Sequence, residues 1–157
     1  MSKTTRATQA LTKAGLAFTV HTYDYDPNAE RIGMQAAESL GEDPARVLKT
    51  LMAELDGKPV CVVLPSDKEV SMKKLAAAFG GKSAAMMKPA LAEKLTGFVV
   101  GGISPFGQKK QVPTTIEIAA VDQPYVYMNG GQRGLQVRLD PKDALKALNA
   151  IAAAITA

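Results

Sequence analysis

A mixed α/β fold, with a curved β-sheet or partial barrel surrounded by short helices, is predicted from three observations. Strand-like apolar runs and helical patterns interleave along the whole chain. Asp56-Gly57 lies between two of the apolar runs, and that dipeptide is a strong signal for an antiparallel hairpin. Short helical stretches are closed by Gly15, Gly41, Gly80 and Gly97, glycine being the residue that most easily takes the left-handed stop. A hairpin among mixed elements does not fit a strict βαβ repeat. No linker, internal repeat or low-complexity tract interrupts the 157 residues. A single domain over 1–157 is therefore expected, long enough to bury a core without staples.

The elements follow in order. Thr4 to Ala14 reads as a helix, with Ala7, Ala10, Leu11 and Ala14 at helical spacing. Ala17 to His21 is strand-like, with Phe18 and Val20 on one face. YDYDPNAE, from Tyr23 to Glu30, is acidic and turn-rich. Met34 to Leu40 is a short helix, and Asp43-Pro44 caps a further helical turn. Val47 to Leu55 and Pro59 to Leu64 form the hairpin. Ser71 caps a helix whose buried stripe is Met72, Leu75 and Phe79, and Met86-Met87 reads as packing. Pro89 to Leu95 is another short helix. Thr114 to Ala119 and Tyr125 to Met128 are strands; Asn129-Gly130-Gly131 turns the chain, and Leu135 to Leu139 returns as an alternating strand. Asp140-Pro141 opens the last helix, with Leu145, Leu148 and Ala152 facing inward.

Composition narrows the chemistry. Apolar residues make up 46% and charged residues 22%, as in ordinary globular proteins. The apolar runs are too short for a membrane span. The polar start MSKTTRATQALTKAG carries no apolar signal core, so a cytoplasmic protein is expected. His21 and Cys61 are the only residues of their kinds. One cysteine cannot form a disulfide within the chain, and the two together are too few for a usual structural or hydrolytic zinc site. No metal and no cofactor are expected. Catalysis must rest on Lys, Tyr, Thr, Ser, carboxylates, backbone groups or the substrate itself. A net charge of +4 and a pI near 9.2 tilt toward a polyanionic partner. The absence of Trp and an aromatic content of 5% argue against a broad base-stacking platform.

Three places break the ordinary pattern. The first is Arg46-Val47-Leu48-Lys49-Thr50-Leu51, in which Lys49 sits in an apolar run. It is either a solvent-facing strand lysine, which the pattern alone favours, or a cleft residue able to hold a phosphate or an ester oxygen. The stretch Gly101-Gly102-Ile103-Ser104-Pro105-Phe106-Gly107-Gln108-Lys109-Lys110 has paired glycines and paired lysines. It is a structural turn with solvated lysines, or a loop whose backbone approaches a ligand; its spacing is not that of a P-loop. Asn129-Gly130-Gly131-Gln132-Arg133-Gly134 reads first as a plain hairpin, from which Arg133 could reach a phosphate. His21 reads as a structural histidine and Cys61 as a small core residue.

These three places, in this order, resemble the YbaK/EbsC family of aminoacyl-tRNA editing proteins. The family comprises free-standing deacylases and the editing domain inserted in many prolyl-tRNA synthetases. The likeness runs from HTYDYDPNAE through AAESLGEDPARVLKTL and SMKKLAAAFGGKSAAMMKP to LTGFVVGGISPFGQKKQVPT and NGGQRGLQV. It implies the 3′ acceptor end of a mischarged tRNA as substrate, usually Cys-tRNA(Pro), with Cys-tRNA(Cys) a second candidate and prolyl-tRNA synthetase a suggested partner. Lys49 and Thr50 fall on the family's lysine–threonine pair, and Tyr23 on a pocket tyrosine. Gly101, Gly102, Ile103 and Ser104 fall on the loop that shapes the amino-acid site, and Asn129 with Gly130 on a Ser-Gly-Gly segment whose serine is here asparagine. The expected roles follow: Lys49 grips the terminal phosphate or ribose, and backbone N–H groups at Gly101 and Gly102 face the substrate carbonyl. Tyr23, Thr50, Ile103, Ser104, Asn129 and Gly130 bind the aminoacyl group. Lys73, Lys74, Lys109, Lys110 and Arg133 attract the tRNA backbone. The nucleophile is the substrate's own thiol or, in other branches, a water. The alternatives are a deacylase of Ser- or Ala-charged tRNA and a non-catalytic module that binds tRNA ends or nucleotides.

Overall fold

In the computed structural model the described residues are 4–28 and 34–157. Helix α1 (Arg6–Lys13) starts at Thr5, whose hydroxyl accepts from Thr8 N in a capping box. Strand β1 (Thr19–Thr22), helix α2 (Gln35–Leu40) and a 3₁₀ turn (Pro44–Arg46) follow. Strands β2 (Leu48–Leu55) and β3 (Lys58–Pro65) then form the expected hairpin. Asp56 and Gly57 both take positive φ, 50° and 83°, as a two-residue turn of this hand requires. Next come α3 (Met72–Ala78), β4 (Ala84–Met86), α4 (Pro89–Thr96), β5 (Thr114–Glu117), α5 (Ile118–Val121), β6 (Val126–Asn129), β7 (Leu135–Leu139), α6 (Pro141–Ala147) and β8 (Ile151–Ala153).

The expected mixed α/β architecture with short helices is present, but the strands form two sheets and do not close into a barrel. One has the order β1-β7-β6 and is antiparallel throughout. The other has the order β4-β2-β3-β5-β8. It is antiparallel on the β4-β2-β3 side and parallel from β3 to β5 to β8. The main core gathers Leu48, Met52, Cys61, Val63 and Ile116 of the large sheet with Val126, Met128, Val137 and Leu139 of the small one. On the opposite face Ala53, Val60, Val62 and Leu64 pack with Leu75 of α3 and Ile155. Strand β3 is thus buried on both faces, which is why VCVVL reads as a continuous apolar run. Val60, Val62, Val63 and Leu64 are at most 2% exposed, each worth about 1.5–3 kcal/mol of burial.

Several expectations need correction. The strand expected over Thr114 to Ala119 ends at Glu117, whose carboxylate accepts from Ala119 N at 3.0 Å and starts α5. The same carboxylate accepts from Ile155 N at 2.9 Å and Thr156 N at 3.2 Å. Helix α6 stops at Leu148, so Ala152 lies in β8 and is exposed rather than on an inward helix face. Strands β4 and β8 are three residues each and alanine-rich, too short to show a period of two. Met87 packs in the core, but Met86 is 47% exposed. The end of the acidic turn, Ala29-Glu30, falls outside the described residues. No helix among the described residues is long and apolar enough to cross a membrane.

Candidate active site

Strand β4 pairs only with Ala53, Glu54 and Leu55 of β2. Beyond that, Met52 O accepts from Met87 N at 3.1 Å, and Val47 bridges to Tyr127 of β6. Between these two ties the edge of β2 borders a cleft of about 270 Å³. Leu48, Lys49, Thr50, Leu51 and Met52 form one wall. The rest of the lining includes Tyr23, Tyr25 and Ala36, then Met86, Met87, Pro89 and Ala92, and also Val100, Gly101, Ile103, Asn129 and Gln136. The lining is mainly apolar with a few polar groups, the usual make-up of a small-molecule site. Lys49 is half-buried and is the cationic residue among those that line the cleft.

The glycine loop is shaped by close packing. Gly101 takes φ 91°, and a Cβ there would sit 2.9 Å from Tyr25 Oη. A Cβ on Gly102 would lie 2.8 Å from Arg133 N and 3.0 Å from Gln132 C, so the two glycine segments lie backbone to backbone. The N–H of Gly102 donates to Val99 O at 2.8 Å. It therefore does not face the cleft as an oxyanion donor, which corrects that part of the expectation. Asn129 Nδ2 donates to Gly101 O at 3.0 Å, while its Oδ1 accepts from Gly131 N at 2.7 Å and Gln132 N at 3.2 Å. Arg133 Nε donates to Val100 O at 2.9 Å, and its guanidinium stands 5.3 Å from the Tyr25 ring centroid. Asn129 and Arg133 together fasten the loop.

Of the expected site residues, the fold brings Tyr23, Lys49, Thr50, Gly101, Ile103 and Asn129 to one cleft. Ser104 does not line it: the residue is fully buried and its Oγ accepts from Phe106 N at 3.0 Å, within the loop. Gly130 also stands behind the wall, its N–H donating to Leu135 O at 2.8 Å. The expected tRNA contacts are dispersed. Lys73 and Lys74 are exposed on α3, across the large sheet from the main core, and Lys74 Nζ donates to Thr156 O at 2.8 Å. Lys109 and Lys110 are exposed, and Lys109 packs at Gly97 beside Arg6.

Burial pushes the Tyr23 hydroxyl above the usual phenol range, and the neighbouring Tyr25 adds to this, while the Gly134 backbone and the Gln136 side chain pull the other way. Burial pushes the Cys61 thiol up to about 12 against hydrogen bonds with Gln108 and Thr114. Cys61 lies in the main core and does not line the cleft. His21 hydrogen-bonds Thr19 Oγ1 at 2.7 Å and meets Tyr127 edge-on at 5.2 Å, a structural setting. Sequence reasoning passed over Tyr25, Ser66 and Gln136, which line the cleft. It also passed over Arg138, which stands 3.8 Å from the ring centroid of Tyr125 beside the small sheet. A buried polar residue at an outward position of β7 leaves no trace in an alternating pattern.

The chain is thus an α/β fold of two sheets, with a mainly apolar cleft that a strand-edge lysine and a glycine loop both line. The profile of the aminoacyl-tRNA editing domain matches residues 26–147, and the chain belongs to that family. It is 39% identical over 121 residues to the provisionally named Cys-tRNA(Pro)/Cys-tRNA(Cys) deacylase EbsC of Enterococcus faecalis, covering 76% of this chain and 74% of that protein. It is 27% identical over 96 residues to the multifunctional Ser/Thr-tRNA deacylase ProXp-y of Escherichia coli, covering 61% of this chain and 58% of that protein. A crystal structure of a protein provisionally described as a trans-editing enzyme for prolyl-tRNA synthetase superposes with a TM-score of 0.81 at 22% identity, over 97% of this chain and 95% of the other. At that identity the superposition speaks for the fold.

Proposed function

We propose that the chain is a trans-editing deacylase that clears cysteine wrongly attached to tRNA(Pro), and secondarily cysteine on tRNA(Cys). The observation that carries this reading is the half-buried Lys49 beside Thr50 at the open edge of β2, within a cleft sized for a small aminoacyl group. Identity to a protein named for that activity supports it. The aminoacyl ester is already reactive, so the protein has chiefly to orient it and stabilise charge that develops on oxygen. Lys49 grips the terminal phosphate or the ribose end. Tyr23, Tyr25 and Gly101 in the lining limit the size of the amino acid, which disfavours bulkier cognate proline.

The nucleophile in this reading is the substrate's thiol. It loses its proton, its sulfur bonds to the ester carbonyl carbon, the bond from that carbon to the ribose oxygen breaks, and the ribose oxygen takes a proton. Cysteine leaves as a cyclic thiolactone, which water then opens. Cys61, buried and poorly ionised, takes no part. Prolyl-tRNA synthetase acts as the partner that supplies tRNA selectivity, and the setting is the cytoplasm. A second reading, water-driven clearance of Ser- or Ala-charged tRNA, is favoured by the likeness to the Ser/Thr-tRNA deacylase. Single-turnover rates on Cys- and Ser-charged tRNA(Pro), with mass spectrometry of the released product, separate the two. A much faster Cys rate with a thiolactone supports the thiol route. Equal rates would move the chain to the water-driven branch.

A further inference from the structure

Three side-chain oxygens in cleft-lining residues are buried without a hydrogen-bond partner among the described residues: Thr50 Oγ1, Ser66 Oγ and Gln136 Oε1. Buried polar atoms are nearly always paired, and an orphan costs free energy. Three such atoms belong to residues around one cleft, where a bound molecule that shifts the side chains can pair them. The two hydroxyls can rotate to donate or to accept, but an amide oxygen can only accept. Gln136 therefore states the chemistry most narrowly: its complement must carry an N–H or O–H donor.

The contrast with its neighbour sharpens this. Gln136 of β7 pairs across the ladder with Asn129 of β6. Both residues line the cleft and are buried, at 4% and 7% exposure. The Asn129 amide is engaged on both sides with Gly101, Gly131 and Gln132. The Gln136 side chain reaches the Tyr23 hydroxyl, yet its oxygen has no hydrogen-bond partner among the described residues. Gln136 borders the cleft, while its oxygen is shut off from solvent in this structure, so a rotation of the side chain is what presents it to a group seated there.

Resting on the deacylase reading above, we propose that Gln136 is a substrate-binding residue whose side-chain oxygen accepts a hydrogen bond from an N–H or O–H donor on the substrate's aminoacyl group. The donor is either the α-amine, common to all aminoacyl esters, or a side-chain hydroxyl. A substrate lacking it leaves the oxygen buried and unpaired in the complex, which weakens its binding.

Single-turnover kcat/KM values for wild type, Gln136→Leu and Gln136→Glu on Cys-, Ser- and Ala-charged tRNA(Pro) test the proposal, the cysteine substrate reporting the loss even where the other two are cleared slowly, with circular dichroism to verify folding. Serine and alanine share the α-amine, and serine alone adds a hydroxyl. Gln136→Leu is expected to lose roughly ten- to hundred-fold. Gln136→Glu, which keeps an acceptor oxygen, is expected to retain most of the rate. Loss on the serine substrate alone assigns the side-chain hydroxyl; equal loss on all three assigns the α-amine. If Gln136→Leu does not fold, Gln136→Met carries the same comparison. Wild-type rates in the apolar variant, or an equal loss in Gln136→Glu, would overturn the proposal. A wild-type protein that clears none of the Cys-, Ser- and Ala-charged tRNAs would instead overturn the deacylase reading, and this proposal with it.

Discussion

The two sides of the cleft are built on opposite terms. On the β2 side, Lys49 and Thr50 stand at a strand edge that β4 leaves uncovered, and Thr50 Oγ1 has no partner among the described residues. On the glycine-loop side, the polar groups are largely engaged with one another: Gly102 with Val99, Asn129 with Gly101, Gly131 and Gln132, and Arg133 with Val100. One side offers groups to a ligand, and the other holds a shape. The lesson is that polar residues in a glycine-rich loop need not be ligand contacts. Their hydrogen bonds must be traced before they are given a chemical role.

The largest expected effect lies on the offering side. Lys49→Ala should leave the circular dichroism spectrum unchanged and remove most deacylation in a single-turnover assay. Losing one charge-assisted contact is worth on the order of 1.5–3 kcal/mol. A folded variant with a near-normal rate would erase the difference between the two sides.

Next comes the shape-holding side. Asn129→Ala removes three hydrogen bonds that fasten the loop. It should destabilise the protein by about 1–3 kcal/mol, read as a lower denaturant midpoint. Activity should fall through a raised KM more than through kcat, because the cleft loosens while Lys49 stays in place. Loss of kcat alone, with unchanged stability, would make Asn129 a substrate contact and break the comparison.

A smaller effect is expected away from both sides, at Glu117. Burial raises its pKa, but hydrogen bonds from the backbone N–H groups of Ala119, Ile155 and Thr156 outweigh that and hold it below the ordinary carboxylate value. A depressed carboxylate contributes stability that is fully present above its unfolded pKa and is lost as pH falls through the folded value. Wild-type stability should therefore decline on acidification below about pH 4.5, the unfolded carboxylate value. Glu117→Gln should flatten that part of the curve without changing which aminoacyl group is cleared. An unchanged acid limb in denaturation curves from pH 3 to 6 (roughly the carboxylate range) would contradict the assignment. The smallest effect belongs to Cys61→Ala: a fully buried thiol pushed up to about 12 supplies no thiolate, so the deacylation rate should stay near wild type. Loss of activity in a folded Cys61→Ala protein would overturn the substrate-thiol route.

What was legible in the sequence follows the same division. The β2–β3 hairpin could be read because Asp56-Gly57 and two apolar runs demand it locally. The helix starts at Asp43, Ser71 and Asp140 could be read because each cap accepts a nearby backbone N–H, whereas the first helix, expected from Thr4, begins at Arg6 behind a Thr5 cap that the sequence reading did not name. Lys49 stood out because a charge interrupts an apolar strand. Gln136 did not, because in LQVRL it occupies the outward phase of an alternating strand, where a polar residue is unremarked. It lies between β1 and β6 with its side chain at the Tyr23 hydroxyl, and is 4% exposed. Ser104 misled in the opposite way: it looks like a loop ligand and instead turns its hydroxyl to Phe106 N. The short strands β4 and β8 depend on pairing with distant partners, β2 and β5, and their own residues carry no signal of it.

The central claim is catalytic clearance of a small amino acid through the β2 side of this cleft. The most direct measurement follows release of free tRNA under multiple turnover, with substoichiometric protein, from Cys-charged and Pro-charged tRNA(Pro). The account predicts repeated turnover of the cysteine ester and a proline ester left close to its spontaneous rate. A cysteine ester that persists, or is protected, in the presence of the protein would contradict it and make the chain a binder of tRNA ends.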